Sequence, residues 1–377
     1  MKILLTTDFF TPTVNGVVTS TVNLRKGLEA RGHEVRILAL RQKEKHEEEG
    51  VWLLSSVGLD AFVAPYVRFR VGLPFSVRRE ILQWKPDIVH SQCEFCTFGP
   101  ARTIAERSGA PLVDTYHTMY EDYARYLFPF SDRFGRYAAK VFTRERLKQV
   151  DAVIVPTEKT RDLLVRYEVQ TPVSVIPSGL DLARFRNPPQ GEVYKKMREA
   201  AAGRKSILYI GRLAREKNIG ELIGYFRKFG REDVVFFIAG CGPLEEELKE
   251  QAQDLGGRVV FLGKIPPAQV PECYAAADLF VSASTSETQG LTYFEALSCG
   301  KPVLCREDDC LRDVVRDGEN GCLFCDYESF AKGLRSLLES DLPAMAPACR
   351  AQAEEFSLEK FAARAEELYL GLLRKNK

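Results

Sequence analysis

The chain has 377 residues, 45% of them hydrophobic and 28% charged, which is the make-up of an ordinary globular protein, and at ~100–200 residues per domain it predicts two domains. With 53 Lys and Arg against 52 Asp and Glu the net charge is +1, which offers no bulk attraction to DNA or RNA, so no nucleic-acid partner is expected. The longest uncharged apolar stretch, Val234 to Leu244, is far shorter than the ~20 residues of a membrane span, and the opening MKILLTTDFF carries an early acid and no cleavage pattern, so a cytoplasmic chain, neither secreted nor membrane-spanning, is expected.

Lys2 to Thr7 reads as the first strand. A turn at residues 11–16 and a helical stretch to Leu28 follow, with Gly32 as the C-terminal cap, and Glu34 to Leu40 reads as a second strand, which completes a βαβ unit. Short apolar runs at 87–90, 111–114, 151–155 and 173–176 continue the pattern. It restarts after Pro177-Ser178-Gly179, with strands expected at 206–210, 234–238, 259–262, 278–281 and 302–304 and helices at 243–254, 267–277 and 292–299 between them. This alternation predicts an α/β chain of two doubly wound, Rossmann-like domains, 1–178 and 179–356, with parallel sheets facing across a cleft. Residues 358–373 form a strongly periodic helix within a final segment, 357–377, expected to cross back to the first domain.

Ten cysteines are too sparse for a disulfide scaffold and are expected to stay reduced in a cytosol. Cys93 with Cys96 and Cys322 with Cys325 have C-x-x-C spacing, but they flank strand-like residues and lie in different predicted domains, so no metal ligand is assigned. No Asp-x-Asp pair, G-x-G-x-x-G fingerprint or Walker lysine loop occurs, which argues against a chelated metal, a nicotinamide cofactor and P-loop chemistry. No cofactor is called for.

The charge is uneven along the chain, +4 over 1–178 and −3 over 179–377. The N-terminal excess gathers in Tyr66 to Arg79, with four Arg and no acid, and in Arg133 to Lys148, with six cations and one Glu. In the latter, Arg133, Arg136, Lys140 and Arg144 alternate with Phe134, Tyr137 and Phe142, a pattern that suits either a helix lying on anionic lipid or a solvated helix packing its aromatics inward.

The most specific local signal runs from Ser286 to Val303. Glu287 precedes an expected helix and Glu295 lies inside it, up to ~12 Å apart if the span is helical. Gly290 allows close backbone approach, and the following amides of Leu291 and Thr292 form an anion site at the helix start. Two carboxylates so spaced suit the hydroxyls of an elongated ligand such as a nucleotide sugar, although Glu-x7-Glu alone also suits an exposed acidic pair. After the strand ending at Ile210, Arg212 and Lys217 are cations suited to a diphosphate, or, taken alone, to a solvated loop. Gly240-Cys241-Gly242-Pro243 marks a turn where backbone meets ligand or neighbour. His117, one of only four histidines, sits at the carboxyl end of an expected strand.

Taken together, the Asn15-Gly16 loop, Gly211-Arg212 with Lys217, and Glu287-x7-Glu295 followed by Ala296 to Val303 resemble the retaining glycosyltransferases of GT-B fold that include sucrose synthase-like and phosphatidylinositol mannosyltransferase-like enzymes. The resemblance spans essentially the whole chain. Gly16 to Ser20, Tyr116 to Tyr123, Val155 to Lys159 and Thr288 to Tyr293 are similar, more narrowly, to bacterial 1,2-diacylglycerol 3-glucosyltransferases, which move glucose from UDP-glucose to diacylglycerol. The resemblance implies that Arg212 and Lys217 bind the diphosphate, Glu295 the ribose, and Glu287 with Gly290 the sugar. It further implies that His117 contacts the hexose near the reacting carbon and that Gly16 lets its loop touch the distal phosphate. Gly242, Gln289, Leu291 and Thr292 complete the implied donor site, with Gln289 standing where relatives often have a small residue. The first domain would then bind the acceptor and face an anionic membrane peripherally, at the inner face of the cell membrane, through Arg68, Arg70, Arg133, Arg136, Lys140 and Arg144. The same donor chemistry on another lipid or a soluble acceptor, and a catalytically silent nucleotide-sugar-binding partner protein, are the competing readings.

Overall fold

Largely apolar runs of three to seven residues build two parallel sheets, and the computed structural model describes residues 1–13, 15–42, 48–58, 68–121 and 131–375 of the chain. The chain divides into one unit of Met1–Gly179 with Leu358–Lys377 and a second of Leu180–Ser357.

In the first unit the strands are β1 (Lys2–Thr7), β2 (Glu34–Leu40), β3 (Val51–Leu54), β4 (Val57–Gly58), β5 (Arg68–Phe69), β6 (Ile88–Ser91), β7 (Leu112–Thr115), β8 (Ala152–Val155) and β9 (Val173–Val175). Seven of them form one sheet in the order β3-β2-β1-β6-β7-β8-β9, every neighbouring pair parallel, while β4 and β5 make a small antiparallel ribbon. Apolar side chains cover both faces, which is why these strands read as continuous runs rather than alternating ones. The first helix, Gly16–Ala30, begins where the Asn15 side chain accepts the Val18 amide at 2.9 Å, and the chain leaves it through Gly32 at a φ of 83°.

The helix Leu358–Lys375 belongs to this first unit. It packs on Gly16–Ala30 where Gly27 lies against Ala362 and the Leu358 carbonyl, leaving no room for a larger side chain. Phe361 and Tyr369 are 3% and 0% exposed among Ile3, Leu5 and Leu24; each aromatic so buried contributes ~2–3 kcal/mol. Tyr369 also reaches the sheet through His90, whose ring nitrogens lie 2.6 Å from the Tyr369 hydroxyl and 2.6 Å from Thr115 Oγ1.

The second unit holds β10 (Lys205–Ile210), β11 (Val234–Ala239), β12 (Val259–Gly263), β13 (Leu279–Ser282), β14 (Val303–Arg306) and β15 (Gly321–Phe324) in a parallel sheet of order β12-β11-β10-β13-β14-β15. Strand order reverses between β1 and β6 in one sheet and between β10 and β13 in the other. Such reversals open a crevice at the carboxyl ends of the strands where open α/β sheets take ligands.

Two sheet strands escape the sequence reading. β3 is four residues long and sits at an edge beside an acidic stretch. β15 begins with Gly321, which reads as loop but is required here because a Cβ would meet the Val303 carbonyl of the neighbouring strand. Two helices are also shorter than expected: Glu245–Gln251 gives way to a 3-10 turn, and a 3-10 turn precedes Val270–Ala276, where Pro271 fits only the first turn of a helix.

Candidate active site

The loops that follow β10 and β13 meet across the strand reversal of the second unit. Lys217 Nζ lies 2.5 Å from Glu287 Oε1 and 3.5 Å from Ser284 Oγ, and the adjacent Asn218 donates to the Ala283 carbonyl at 3.1 Å. Both members of the ion pair are partly buried, so the resting site holds one cation already matched to one carboxylate. Arg212 is exposed and pairs with Glu216, four residues on.

Glycines set the loop geometry. Gly240 and Gly242 lie so close to the Gly211 and Leu213 carbonyls that no Cβ would fit, and the Leu213 amide donates to the Cys241 carbonyl at 3.0 Å. Packing of the β10 loop on the β11 loop therefore accounts for Gly242 without a ligand. Gly290 has a φ of 77°, and a Cβ there would strike the Tyr293 ring. It is the N-cap of Leu291–Ser298, a helix with no side-chain cap, so the Leu291 and Thr292 amides at its start are not claimed by a capping side chain. Because the helix begins only at Leu291, the span from Glu287 to Glu295 is not one helical arc. Gln289 is buried beside this turn.

Glu295 points from the same helix into the protein, where the Tyr274 hydroxyl donates to it at 2.8 Å. Burial pushes its carboxyl up to about 7 from an ordinary 4.5. It titrates in the range where an enzyme works.

In the first unit His117 directly follows β7 and is partly buried, with Nε2 2.9 Å from Gln92 Oε1. Burial draws its pKa down to about 4, so the imidazole is neutral near pH 7. Gly16 is the exposed first residue of its helix, and nothing lies within 4 Å of the position a Cβ would take. Val14 in that loop, and Asp122 and Tyr123 of the His117 segment, lie outside the described residues.

Three buried carboxyls near the same strand ends were not singled out by the sequence reading. Asp8, just after β1, accepts from Cys96 N, Thr97 N and Thr97 Oγ1 at 2.8, 2.7 and 2.6 Å, which ties the β1 and β6 loops together across the strand reversal. Glu94 and Asp114 lie alongside. The readable signal was an acid inside the apolar run Leu112–Thr115, a place where a charge is costly unless matched.

The basic stretches divide into exposed cations and engaged ones. On the helix Asp132–Leu147, Arg133 and Arg136 are exposed next to Phe134 and Tyr137, 56% and 65% exposed, whereas Lys140 and Arg144 pair with Glu168 at 2.7 and 3.2 Å. Arg68 donates to the Ser56 carbonyl at 2.8 Å and Arg70 to the Gly72 carbonyl at 3.1 Å, which holds the ribbon that displays Phe69 and Val71. Tyr66 and Val67 lie outside the described residues. Among the described residues no helix is long and apolar enough to cross a membrane, and no group of three or more His, Cys, Asp or Glu is placed to hold a metal.

Residues 14–184 match the family Glycosyltransferase Family 4, and residues 192–356 match Glycosyl transferases group 1. Along its full length the chain is 36% identical to an alpha-monoglucosyldiacylglycerol synthase of Streptococcus pneumoniae, covering 87% of that protein. It is 32% identical, again over its full length, to the alpha-monoglucosyldiacylglycerol synthase of Acholeplasma laidlawii, covering 98% of it. Among solved structures, Anabaena Alr3699/HepE in complex with UDP and glucose superposes with a TM-score of 0.73 at 19% identity, covering 98% of this chain and 100% of that one. Sucrose-phosphate synthase from Thermosynechococcus elongatus gives 0.72 at 20% identity, covering 99% of each. The fold is GT-B.

Proposed function

The chain belongs to the glycosyltransferases, its halves to family 4 and group 1, and from that premise we propose that it transfers glucose from UDP-glucose to 1,2-diacylglycerol with retention, giving monoglucosyldiacylglycerol. The observation that carries the reading is the identity of 36% and 32% along the whole chain to two alpha-monoglucosyldiacylglycerol synthases. The second unit takes the donor and the first the acceptor.

The site chemistry supports this division of labour. A departing diphosphate builds negative charge, and Lys217, Arg212 and the uncapped Leu291–Ser298 helix start offer a cation pair and amide donors to it. At rest Lys217 is held by Glu287. An arriving diphosphate competes for Lys217, and Glu287 is thereby released to accept a hexose hydroxyl, so donor binding itself arms the carboxylate. Glu295 accepts the ribose hydroxyls. His117, neutral because it is buried, can contact the hexose without opposing the positive charge that develops at its reacting carbon. We assign no general base: the leaving phosphate takes the acceptor proton on the same face.

A lipid acceptor explains Arg133, Arg136, Phe134 and Tyr137 on one exposed turn better than a soluble acceptor does, because cations and aromatic rings together bind an anionic interface. The chain then works at a membrane surface as a peripheral protein, at the cytoplasmic face.

The test is product analysis by mass spectrometry after incubation with a panel of UDP-hexoses and mixed micelles of diacylglycerol and anionic lipid. Hexosyl-diacylglycerol formed from UDP-glucose, and lost in Glu287→Ala, is the expected result. UDP released without a lipid product would remove diacylglycerol as the acceptor.

A further inference from the structure

Three polar contacts zip the loop after β6 to the segment after β7. Gln92 Oε1 lies 2.9 Å from His117 Nε2, the Tyr120 hydroxyl donates to Glu94, and the carboxyls of Glu94 and Asp114 lie within hydrogen-bonding reach of each other. Parallel pairing of Ser91 with Asp114 brings the two segments side by side at this point. The segment that carries His117 is therefore pinned three residues before it, at Asp114, and three residues after it, at Tyr120. Glu94 is the residue it is pinned to at both places.

Glu94 is 1% exposed and Asp114 0%. Written as two carboxylates, they leave Glu94 Oε1 and both Asp114 oxygens buried with no donor, a fault that folded proteins rarely keep. One proton on Asp114 repairs two of the three, because the acid then donates to Glu94, whose negative charge has Asp114 and Tyr120 as donors, and the Ser91 hydroxyl stands beside Asp114 for the third.

We propose that Asp114 is a carboxylic acid rather than a carboxylate, that it donates its proton to Glu94, and that this acid–carboxylate bridge is a positioning device that fixes His117 for transfer. The surroundings favour it. Burial first, and then the neighbouring Glu94, hold Asp114 well above the usual carboxylate range, and burial pushes Glu94 up to about 7. The titratable groups facing the pair are Asp8 from the end of β1, Cys93 from the same loop as Glu94, and Tyr116 and Tyr120 from beyond β7. Asp8, when ionised, favours keeping the proton on the pair, Cys93 and Tyr116 stay neutral, and the Tyr120 hydroxyl by donating to Glu94 favours the charge residing there, on Glu94, and the proton on Asp114.

The positioning role rests on the reading of His117 as the hexose contact, but the proton does not, and the two are tested separately. Infrared spectra of the whole protein at pH 8 are expected to show a protonated carboxylic acid band that loses intensity in D114N; equal intensity in D114N and wild type would overturn the assignment. For positioning, D114N supplies a permanent amide donor in place of the acid, whereas D114V supplies none in a residue suited to a strand. At saturating UDP-glucose, kcat for D114V is expected to fall about tenfold or more, with D114N recovering most of it and the KM for UDP-glucose shared by both. Equal kcat in the two variants, or a dead D114N that still binds UDP, would overturn the bridge as the positioning device. Were D114V to lose its fold, the infrared comparison and D114N against wild type decide the matter. If wild type makes no glucosyl-diacylglycerol, the proposed function fails while the infrared result still stands or falls by itself.

Discussion

At the strand reversal of the second unit the loops are joined by Lys217 and Glu287, side chains 19% and 21% exposed, whereas at the reversal of the first unit they are joined by Asp8, 5% exposed and held by three donors. The first joint is a pair of opposite charges within reach of solvent, which a charged ligand can take apart. The second is a carboxyl satisfied from inside, which no ligand needs to disturb. One fold thus places a separable bridge in its second unit and a fixed one in its first, and substitutions at the two should fail in different ways.

The largest expected effect is on turnover. Lys217→Ala, which removes a charge at the developing anion, and Glu287→Ala, which removes the proposed hexose contact, should each lower glucosyl transfer about 10²–10³-fold, the scale of losing one preorganised electrostatic contact, while thermal melting stays near the wild-type value. A fall in melting temperature that parallels the loss of transfer would make this bridge structural and erase the contrast. Thr97→Val should do the reverse. It removes one donor from buried Asp8 and is expected to cost about 1–3 kcal/mol of stability, a drop of about 2–12 °C in the melting of the first unit, with the KM for UDP-glucose unchanged.

A smaller effect separates the halves by pH. Glu295 has its folded pKa raised, from 4.5 to about 7, so the stability it lends is full below its unfolded value and is lost as pH rises through about 7. Ribose hydroxyls prefer the carboxylate, so UDP affinity should move the other way, tightening up to about tenfold between pH 6 and pH 8. Titration calorimetry at the two pH values checks this, and E295Q should flatten the dependence. The smallest effect concerns the exposed turn of Arg133 to Tyr137, proposed to meet lipid. F134A/Y137A is expected to weaken partition onto anionic vesicles about tenfold, and K140A by less than about threefold because Glu168 already neutralises that charge. No loss in F134A/Y137A beside a clear loss in K140A would mean the helix is read by charge alone.

The strand-reversal loops of the second unit were largely legible in the sequence. Glu287, Gly290 and Glu295 fall within nine residues, and a glycine turn followed by a helix start announces its own chemistry. The likeness of the whole chain to known glycosyltransferases rests on such runs. What escaped was of two kinds. Lys217 and Glu287 are seventy residues apart, and their pairing follows from β10 lying beside β13, a sheet order that no local pattern states. Asp8, Glu94 and Asp114 each read as an ordinary acid near a strand, because their importance comes from burial, which spacing does not report. The same holds for Lys140 and Arg144, whose partner Glu168 lies on a different stretch of chain. Gly242 marked a turn where backbone meets ligand or neighbour, and the carbonyl of Leu213 is such a neighbour.

The return of Leu358–Lys375 to the first unit has a consequence for synthesis. Phe361 and Tyr369 cover Ile3, Leu5 and Leu24, so the half of the protein that leaves the ribosome first is completed last, after every residue of the other half has been made. A nascent chain stalled before Leu358 would carry a nearly whole second unit beside a first unit with one apolar face bare, a chaperone substrate by construction.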